Sequence, residues 1–425
     1  MSNTKERRSL LSSQARIQAP WIKVTIGNYT FGVFDRKTKE REKNASGNYE
    51  SYNITYPNYV QSLNIIKING QINQYTLRID YPVKFNDDPN FFEKVFSSVS
   101  NTRKIVFSYG DAATPSYVYK DEEAIITGVS QDFNLESGVI SYTVNAVSSS
   151  VVGTTGSFTF ISPGVEKPSK IIKDVFKNTN YGLRSLFKGM SNSNLDKLIA
   201  GDDRAIKIDT KTNISPLDYI IYLVSCMIPE GSTVNNISKD MYILTIHDET
   251  IFDKDFEESN SLGGAFFKVT KTSNNIKQAD AYEVDIGYNN STIVTQFSIT
   301  NRENFALYYD YNSKLQPEQY TRRLNNQGQW EDVYAPIYTS GNDSFKTREE
   351  DIIWFTKMTK YPISATLKIQ GLLRPAQLMQ YLRLNVVFPG GNKHVSSGLY
   401  IITKQVDDIS GSGYVTTLYL TKISD

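Results

Sequence analysis

Apolar and polar residues alternate along much of the chain, and the alternation is clearest at its C-terminal end. In SGLYIITKQVDDISGSGYVTTLYLTKISD (397–425), two alternating runs flank SGSG at 410–413, whose residues tolerate positive φ. This pattern predicts a β hairpin. The same period of two predicts further strands upstream, in WIKVTIG, SLNIIKING, INQYTLRIDYP, KIVFSYG, EAIITGVSQDF and GVISYTVNAV.

The N-terminal part predicts one β domain behind a polar arm. Residues 1–20 are polar, and about six antiparallel strands are predicted for 21–160, with the charged stretch DRKTKEREKNASGN (35–48) as a loop. Within this domain, DPNFFEKVFSSVS places its apolar residues on one helical face after an Asp-Pro start. A barrel or rolled sheet is expected, because an open sheet would leave strand edges unpaired.

The period changes near Pro163 and predicts an α-rich inserted domain over 161–238. A first helix is predicted in KPSKIIKDVFKNTN with Ser169 as its cap, followed by a short helix in NSNLDKLIAG. The best helix lies in ISPLDYIIYLVSCMIPEG. There Ser215 is the predicted N-cap, Pro216 the first helical residue and Asp218 a first-turn acid.

Strands return after this insertion and predict a second β domain over 239–425. They include MYILTIHDE, FFKVTKT, AYEVDIGYN, TIVTQFSIT, ISATLKIQG and YLRLNVVFPG, and an insertion without clear periodicity interrupts them at about 302–350. Two β domains of similar size in one chain suggest a duplication. Residue-by-residue matching between the two halves does not by itself support it.

Composition gives the class of protein but no partner. The 425 residues are 39% hydrophobic, which is enough for several cores, and 46 Lys and Arg balance 45 Asp and Glu. No global field therefore favours nucleic acid or an acidic membrane surface. No signal peptide and no apolar run long enough to span a membrane are present, so we expect synthesis in a cytoplasm.

Residues able to do chemistry are scarce in the sequence. There are two histidines, His247 and His394, and the acidic stretch after His247 does not match the spacing of a calcium loop. Asp407 and Asp408 are neighbours in a predicted strand, so their carboxylates point to opposite faces and are expected to be solvated at a turn. No hydrolase or phosphate-loop motif occurs. We therefore predict no catalytic, cofactor or metal site and no enzymatic activity.

The segment 363–423 carries a recognisable order of motifs. A strand ends in Gly371, Leu-Arg-Pro follows at 373–375, and Leu-Asn-Val at 384–386 precedes a Gly-rich loop. The chain then continues with Gly-Leu-Tyr-Ile-Ile at 398–402 and Gly-Tyr-Val-Thr-Thr-Leu at 413–418. This order resembles the C-terminal β unit of phage central baseplate hub proteins, a family that includes the hub part of type VI secretion spikes and of related contractile injection systems. Pro375-Ala376 departs from the Pro-Gly that is common there.

The resemblance implies a mainly β fold with an α+β insertion: two tail-tube-like antiparallel β-barrels plus a small helical domain. It implies a homotrimeric, non-enzymatic hub in the tail baseplate of a virion, made in the host cytoplasm. Three copies of two barrels would form a ring of six that joins a six-fold tail tube to a three-fold spike. The implied partners are the tail tube protein, the central spike or tail lysin, the tape measure protein and other baseplate proteins.

Four tyrosines are predicted to face outward and to form the contacts between subunits: Tyr75, Tyr400, Tyr414 and Tyr419. Two alternatives remain open. One is a structural tail-tip protein of a long non-contractile tail, although no hydrolase is expected because the chain stops at Asp425, just after the last strand. The other is a carbohydrate-binding protein or enzyme acting on the host envelope, suggested by the aromatic segment 305–338.

Overall fold

The computed structural model describes residues 20–32, 38–43, 49–54, 59–68, 71–83, 88, 90–98, 103–111, 118–231, 242–247, 265–271, 280–285, 294–301, 321–324, 330–333, 363–370 and 381–424. The fold is mainly β, with a few short helices and one large sheet of 13 strands. The residues predicted for the N-terminal arm and most of the 302–350 insertion lie outside the described residues.

The first sheet unit is formed by the N-terminal strands and one helix. Its elements are β1 (Pro20–Ile26), β2 (Tyr29–Gly32), β5 (Val60–Ile68), β6 (Gln74–Pro82), α1 (Phe91–Ser98), β7 (Lys104–Asp111), β8 (Val118–Asn134) and β9 (Val139–Ser148). A separate hairpin is formed by β3 (Thr38–Lys43) and β4 (Tyr49–Ile54). The charged stretch at 35–48 was predicted as a loop, and this is wrong for 38–43: a ladder of backbone hydrogen bonds needs no apolar side chains.

The helical module follows the first unit. It contains β10 (Phe158–Phe160), β11 (Gly164–Glu166), α2 (Pro168–Lys177), α3 (Leu183–Leu186), α4 (Leu195–Leu198), β12 (Ile206–Ile208), β13 (Lys211–Ile214), α5 (Pro216–Cys226), β14 (Tyr242–His247) and β15 (Phe266–Lys271). Its strands form three two-stranded ladders. Most of the apolar residues of β14 and β15 belong to the core of these helices, while Ile243 belongs to the core of the second sheet unit.

The second sheet unit completes the chain. It consists of β16 (Asp280–Asp285), β17 (Val294–Asn301), β20 (Ile363–Gln370), β21 (Tyr381–Val387), β22 (Gly398–Ser410) and β23 (Gly413–Ser424). A small hairpin of β18 (Thr321–Leu324) and β19 (Trp330–Val333) lies within the predicted insertion. The C-terminal hairpin predicted from the sequence is confirmed as β22 and β23.

The two sheet units have the same strand order. In the first unit the order is β5-β6-β9-β8-β7-β1, and in the second it is β17-β20-β23-β22-β21-β16. All of these neighbours are antiparallel except β16 and β21, which are parallel. Among the described strands, no pairing closes either unit into a barrel, because β2 and β17 end the main path of the sheet. The barrels implied by the resemblance are seen here as open, connected units.

Two register shifts in the ladders fall at equivalent places in both units. The β5–β6 ladder shifts register between Val60 and Ser62, and the equivalent β17–β20 ladder shifts between Val294 and Gln296. The β8–β9 ladder shifts between Ile126 and Gly128, and the equivalent β22–β23 ladder shifts between Ile402 and Lys404. Because bulges re-aim a strand and are features of a fold, matched bulges make the two units a structural repeat.

The helix predictions were accurate for α5 and partly wrong for α2. Ser215 is the N-cap of α5 and accepts a hydrogen bond from the Asp218 backbone N–H, as predicted. Ser169 is not the cap of α2, which begins at Pro168. Instead its backbone N–H donates to the buried carboxylate of Asp203 at 2.9 Å. Because Asp203 is 34 residues away from Ser169, the residues around the start of α2 carry no sequence pattern that predicts this hydrogen bond.

Candidate functional site: the seam between the sheet units

The seam is the ladder that joins the two sheet units, formed by residues 404–410 of β22 and 62–68 of β5. Strand β22 has two partners along one edge. Its first half pairs with β21 over 398–401, and its second half leaves β21 and pairs with β5 of the first unit. Since β23 accompanies β22 to the tip, the hairpin extends out of its own unit and adds to the other.

Apolar side chains at the hairpin tip are buried in the first unit. Ile409 and Tyr414 are opposite one another in the β22–β23 ladder, and both belong to the hydrophobic core of the first unit. Leu418, further from the tip on β23, belongs instead to the core of the second unit. The hairpin therefore contributes to two cores, and the seam is stabilised by hydrophobic burial as well as by backbone hydrogen bonds.

Glu122 of β8 is the centre of a buried polar cluster beside the seam. Its side chain has no exposed surface. One carboxylate oxygen accepts hydrogen bonds from Lys67 Nζ at 2.6 Å and from the Tyr109 hydroxyl at 2.8 Å, and the other accepts from the Tyr75 hydroxyl at 2.9 Å. A buried charge is tolerable only when it is paired and hydrogen-bonded in this way.

A second buried carboxylate, Asp407, lies in β22 on the other side of the seam. Thr416 Oγ1 donates to it at 2.6 Å and Gln405 Nε2 donates at 2.7 Å. Burial raises the pKa of Asp407 above its ordinary value, while these two hydrogen bonds and the charge of Lys67 act in the opposite direction. The expectation that Asp407 is solvated at a turn is therefore wrong. Asp408, as predicted, points to the other face and accepts from Asn64.

The raised pKa of Asp407 predicts a pH dependence of stability. The folded chain binds the Asp407 proton more tightly than the unfolded chain does. The stability that folding gains from this proton is therefore present at low pH and is lost as pH rises through the raised pKa. Asp407→Asn should therefore gain stability relative to the original chain as pH rises, by about 1.4 kcal/mol for each unit of the pKa difference. Urea unfolding of both chains between acid and neutral pH measures the gain.

The matched control is Asp408→Asn, at the neighbouring position on the solvent face of the same strand. The same change of pH profile in both variants would contradict an origin in the buried carboxylate of Asp407.

The two buried carboxylates at the seam, Glu122 and Asp407, already accept hydrogen bonds from donors of the chain itself. Within the ranges that the structure describes, no three His, Cys, Asp or Glu side chains gather so as to hold a metal ion. His247 is buried, stacks on Phe266 and lies 3.0 Å from the Thr245 hydroxyl. The acidic residues that follow it lie outside the described residues.

The outward orientation predicted for four tyrosines is wrong for three of them. Tyr75, Tyr400 and Tyr414 are buried in the chain, Tyr75 against Glu122 and Tyr400 with its hydroxyl donating to the Ser396 carbonyl oxygen. Tyr419 is exposed, with Lys404 over its ring. Alternation separates the two faces of a strand without saying which one is inside. A role between copies remains a prediction for Tyr419.

The buried charges at and beside the seam, Lys67 and Glu122, leave a signal in the sequence. Lys67 follows Leu63 and Ile65 at alternate positions of β5, and Glu122 precedes Ala124 and Ile126 in the same way on β8. Alternate residues share a face of a strand, so each charge lies on an apolar face. Opposite charges on the apolar faces of two strands indicate a buried pair.

Among the described residues, every helix is too short or too polar to cross a bilayer. No family model matches the chain, and no curated protein matches it.

Solved structures with a similar chain path include two tail proteins and one secretion component. The tail protein from Neisseria meningitidis MC58 is 9% identical, with 95% of this chain and 97% of that chain covered and a TM-score of 0.47. The 43 kDa tail protein of prophage MuSo2 from Shewanella oneidensis is 8% identical, with 96% and 100% covered and a TM-score of 0.49.

An Escherichia coli component of the type VI secretion system is 8% identical, with 86% of this chain and 74% of that chain covered and a TM-score of 0.44. At these identities and TM-scores, the similarities assign neither a family nor a function to the chain.

Proposed function

We propose that the chain is a structural subunit of a phage or phage-like tail: a trimeric baseplate hub that joins the six-fold tail tube to the three-fold central spike. It acts by shape and not by catalysis. Its neighbours are the tail tube protein, the spike or tail lysin, the tape measure protein and other baseplate proteins. The motif order at 363–423 supports this function from the sequence, and the internal repeat supports it from the fold.

The repeat is the single observation that carries the proposal. Two units with one strand order and matched bulges are present in each polypeptide. Three copies of such a chain supply six nearly equivalent units, which can face a six-fold ring, while the chains themselves keep three-fold symmetry for a spike. A protein with one unit per chain has no such means of joining partners of different symmetry.

The seam suits a part that must keep its shape. Edge-to-edge pairing and a shared core at Ile409 and Tyr414 fix the two units to each other. The buried cluster at Glu122 holds β5, the strand of the first unit that forms this contact, to β6, β7 and β8. A slip of the seam ladder by one residue would reverse the faces of β22, so that the exposed Asp408 carboxylate would be buried; this penalises that register. The angle between neighbouring units in a ring would then be set within each chain.

Native mass spectrometry and electron microscopy of the purified full chain test the proposal. The expected result is a trimer whose ring contains six similar lobes, alone or after addition of the tail tube or spike protein. A chain that stays monomeric at high concentration and in the presence of both proteins would overturn the hub assignment.

A further inference from the structure

We propose that one copy of the chain joins the next by the same strand contact that joins the two units within each copy. In this contact, residues 128–134 of β8 pair with β17 (Val294–Asn301) of a second copy. The inference deepens the proposed function by naming the surfaces between copies, and it rests on that function only for the number of copies.

The donor is the half of β8 that extends past β7. Among the described strands, residues 128–134 pair with β9 alone, because the β7–β8 ladder stops at Ile125. Their equivalents in the repeat are residues 404–410 of β22, which pair with β23 on one edge and with β5 on the other. The first unit thus presents an open edge at the position where the second unit forms the seam.

Side chains on the core face of this edge lack the cover that their equivalents have. Phe133 and Val129 are opposite Ile140 and Val144 in the β8–β9 ladder, so they share the face that those residues bury. Yet Phe133 is 55% exposed and Val129 is 38% exposed. The equivalent of Phe133 is Ile409, which is 1% exposed because the first unit covers it. An exposed phenylalanine on a core face indicates a surface that another molecule covers.

The acceptor is β17, the equivalent of β5. Strand β17 ends the sheet, so its outer edge is open among the described strands. Ile299 of β17 is 38% exposed, whereas its equivalent Ile65 is fully buried in the first unit's core. Open edges with apolar side chains are usually protected in monomeric proteins, since they pair with other chains.

The partner is a second copy of this chain because the donor and acceptor edges are different and each chain has one of each. Among the strands that the structure describes, neither edge pairs with the other in the same molecule. A contact between unlike surfaces repeats from copy to copy and either closes into a ring or continues as a filament. With three copies, the ring has three seams within chains and three matching seams between them.

The repeat also gives the register of the proposed contact. In the seam, Ile409 is opposite Leu63 and Asp408 is opposite Asn64. Phe297 of β17 is opposite Leu367 of β20, and Leu63 of β5 is opposite Leu77 of β6. Because Leu367 and Leu77 are equivalent in the repeat, Phe297 is the equivalent of Leu63. Phe133 should therefore be opposite Phe297, and Asp132 opposite Ser298. The Ser298 hydroxyl can donate to Asp132 as the Asn64 side chain does to Asp408.

The first test is Phe133→Asp, with Val165→Asp as control. Val165 is 53% exposed, close to the value for Phe133, but it lies in the helical module. Phe133→Asp should weaken association between copies by about 100-fold or more, because a carboxylate would be desolvated against an apolar partner. Val165→Asp should leave association unchanged. Measured on the monomer, at a protein concentration too low for association, both variants should keep the thermal midpoint of the original chain, since neither side chain is buried within one copy.

The second test is disulfide trapping in a Cys226→Ser background, which removes the single cysteine of the chain. Asp132→Cys with Ser298→Cys, and Gln131→Cys with Ile299→Cys, place thiols at two adjacent pairs of the predicted register. Adjacent pairs alternate between wider and closer spacing, so one of them suits a disulfide. Asp132→Cys with Thr300→Cys is the register-shifted control, and Asn64→Cys with Asp408→Cys is the equivalent pair within one chain.

The outcomes separate this inference from the hub assignment. Links in the predicted register that end at three chains support both. Links in that register that end at another number, or form long polymers, support the contact and overturn the trimer. A trimer that survives Phe133→Asp and gives no links in the predicted register overturns the contact and leaves the hub. A chain that stays monomeric and gives no links, while the Asn64 and Asp408 pair does link, overturns both.

Discussion

Replacing Lys67 by methionine is expected to lower the free energy of unfolding by about 3–5 kcal/mol. Methionine keeps most of the side-chain volume but removes the cation that neutralises Glu122 at 2.6 Å, in a place where the carboxylate has no exposed surface. The Tyr75 and Tyr109 hydroxyls would remain, but they do not balance the charge. Urea unfolding at neutral pH measures the loss, and hydrogen exchange of β5 and β8 locates it.

Two variants make the Lys67 result interpretable. Lys104→Met removes the cation of the exposed Lys104–Glu123 pair between β7 and β8, and it should change stability by less than about 1 kcal/mol. Lys67→Met combined with Glu122→Gln should recover part of the loss, because it removes the buried charge together with its partner. Equal effects of Lys67→Met and Lys104→Met would mean that the buried charge pair contributes no more to the stability of the fold than an exposed pair does.

Ile409→Asp is expected to detach the hairpin tip from the first unit and to cost at least about 3 kcal/mol. Ile409 is on β22 of the second unit, but its side chain is buried in the core of the first unit. A carboxylate there would be desolvated among apolar side chains. Backbone amides of residues 404–410 and of β5 should then exchange much faster, while those of the helical module should not. Hydrogen exchange followed by mass spectrometry reads out both regions.

The conservative variant Ile409→Val should cost only about 1 kcal/mol, since it removes a single methylene from the core. Phe133→Asp is the equivalent change in the other unit and should leave the stability of a single chain nearly unaffected, because that side chain is half exposed. Equal destabilisation of one chain by Ile409→Asp and Phe133→Asp would mean that both hairpin tips are covered to the same extent within the chain. It would contradict an open edge at Phe133.

The two tips therefore show how one repeated element serves two purposes. At Ile409 the cover comes from the same chain and adds to its folding stability. At Phe133 the cover is proposed to come from the next chain and would add to assembly. Keeping one contact within each chain means that association has to form only half of the contacts in a ring of six units, and it guarantees that the two kinds of unit alternate around the ring.

Local pattern predicted most of the secondary structure of the described residues. The terminal hairpin, α1 and the Ser215 cap of α5 were each correct, because alternation, helical spacing and capping chemistry act between residues close in sequence. The same reasoning failed at 38–43, where a ladder needs no apolar face, and at α2, whose N-terminal amide is capped by Asp203.

The repeat could be suspected from the sequence but not demonstrated there. Residues at equivalent positions differ in type, as Ile409 and Phe133 or Asn64 and Ser298 do, because a strand order and a bulge constrain the backbone and only the polarity of each face. Only the ladders, aligned through their shared register shifts, give the equivalences from which the contact between copies is inferred.

By itself, the sequence of this protein determined a two-part β chain with a helical insertion and few residues able to do chemistry. Tertiary structure decided which face of each strand is inside. It placed Tyr75, Tyr400 and Tyr414 in the interior, whereas the sequence pattern had predicted them on the surface. It also decided that Lys67, Glu122 and Asp407 are buried around one seam. The physical reason is that alternation fixes two faces for every strand, whereas the choice between them depends on which distant strand pairs at its edge.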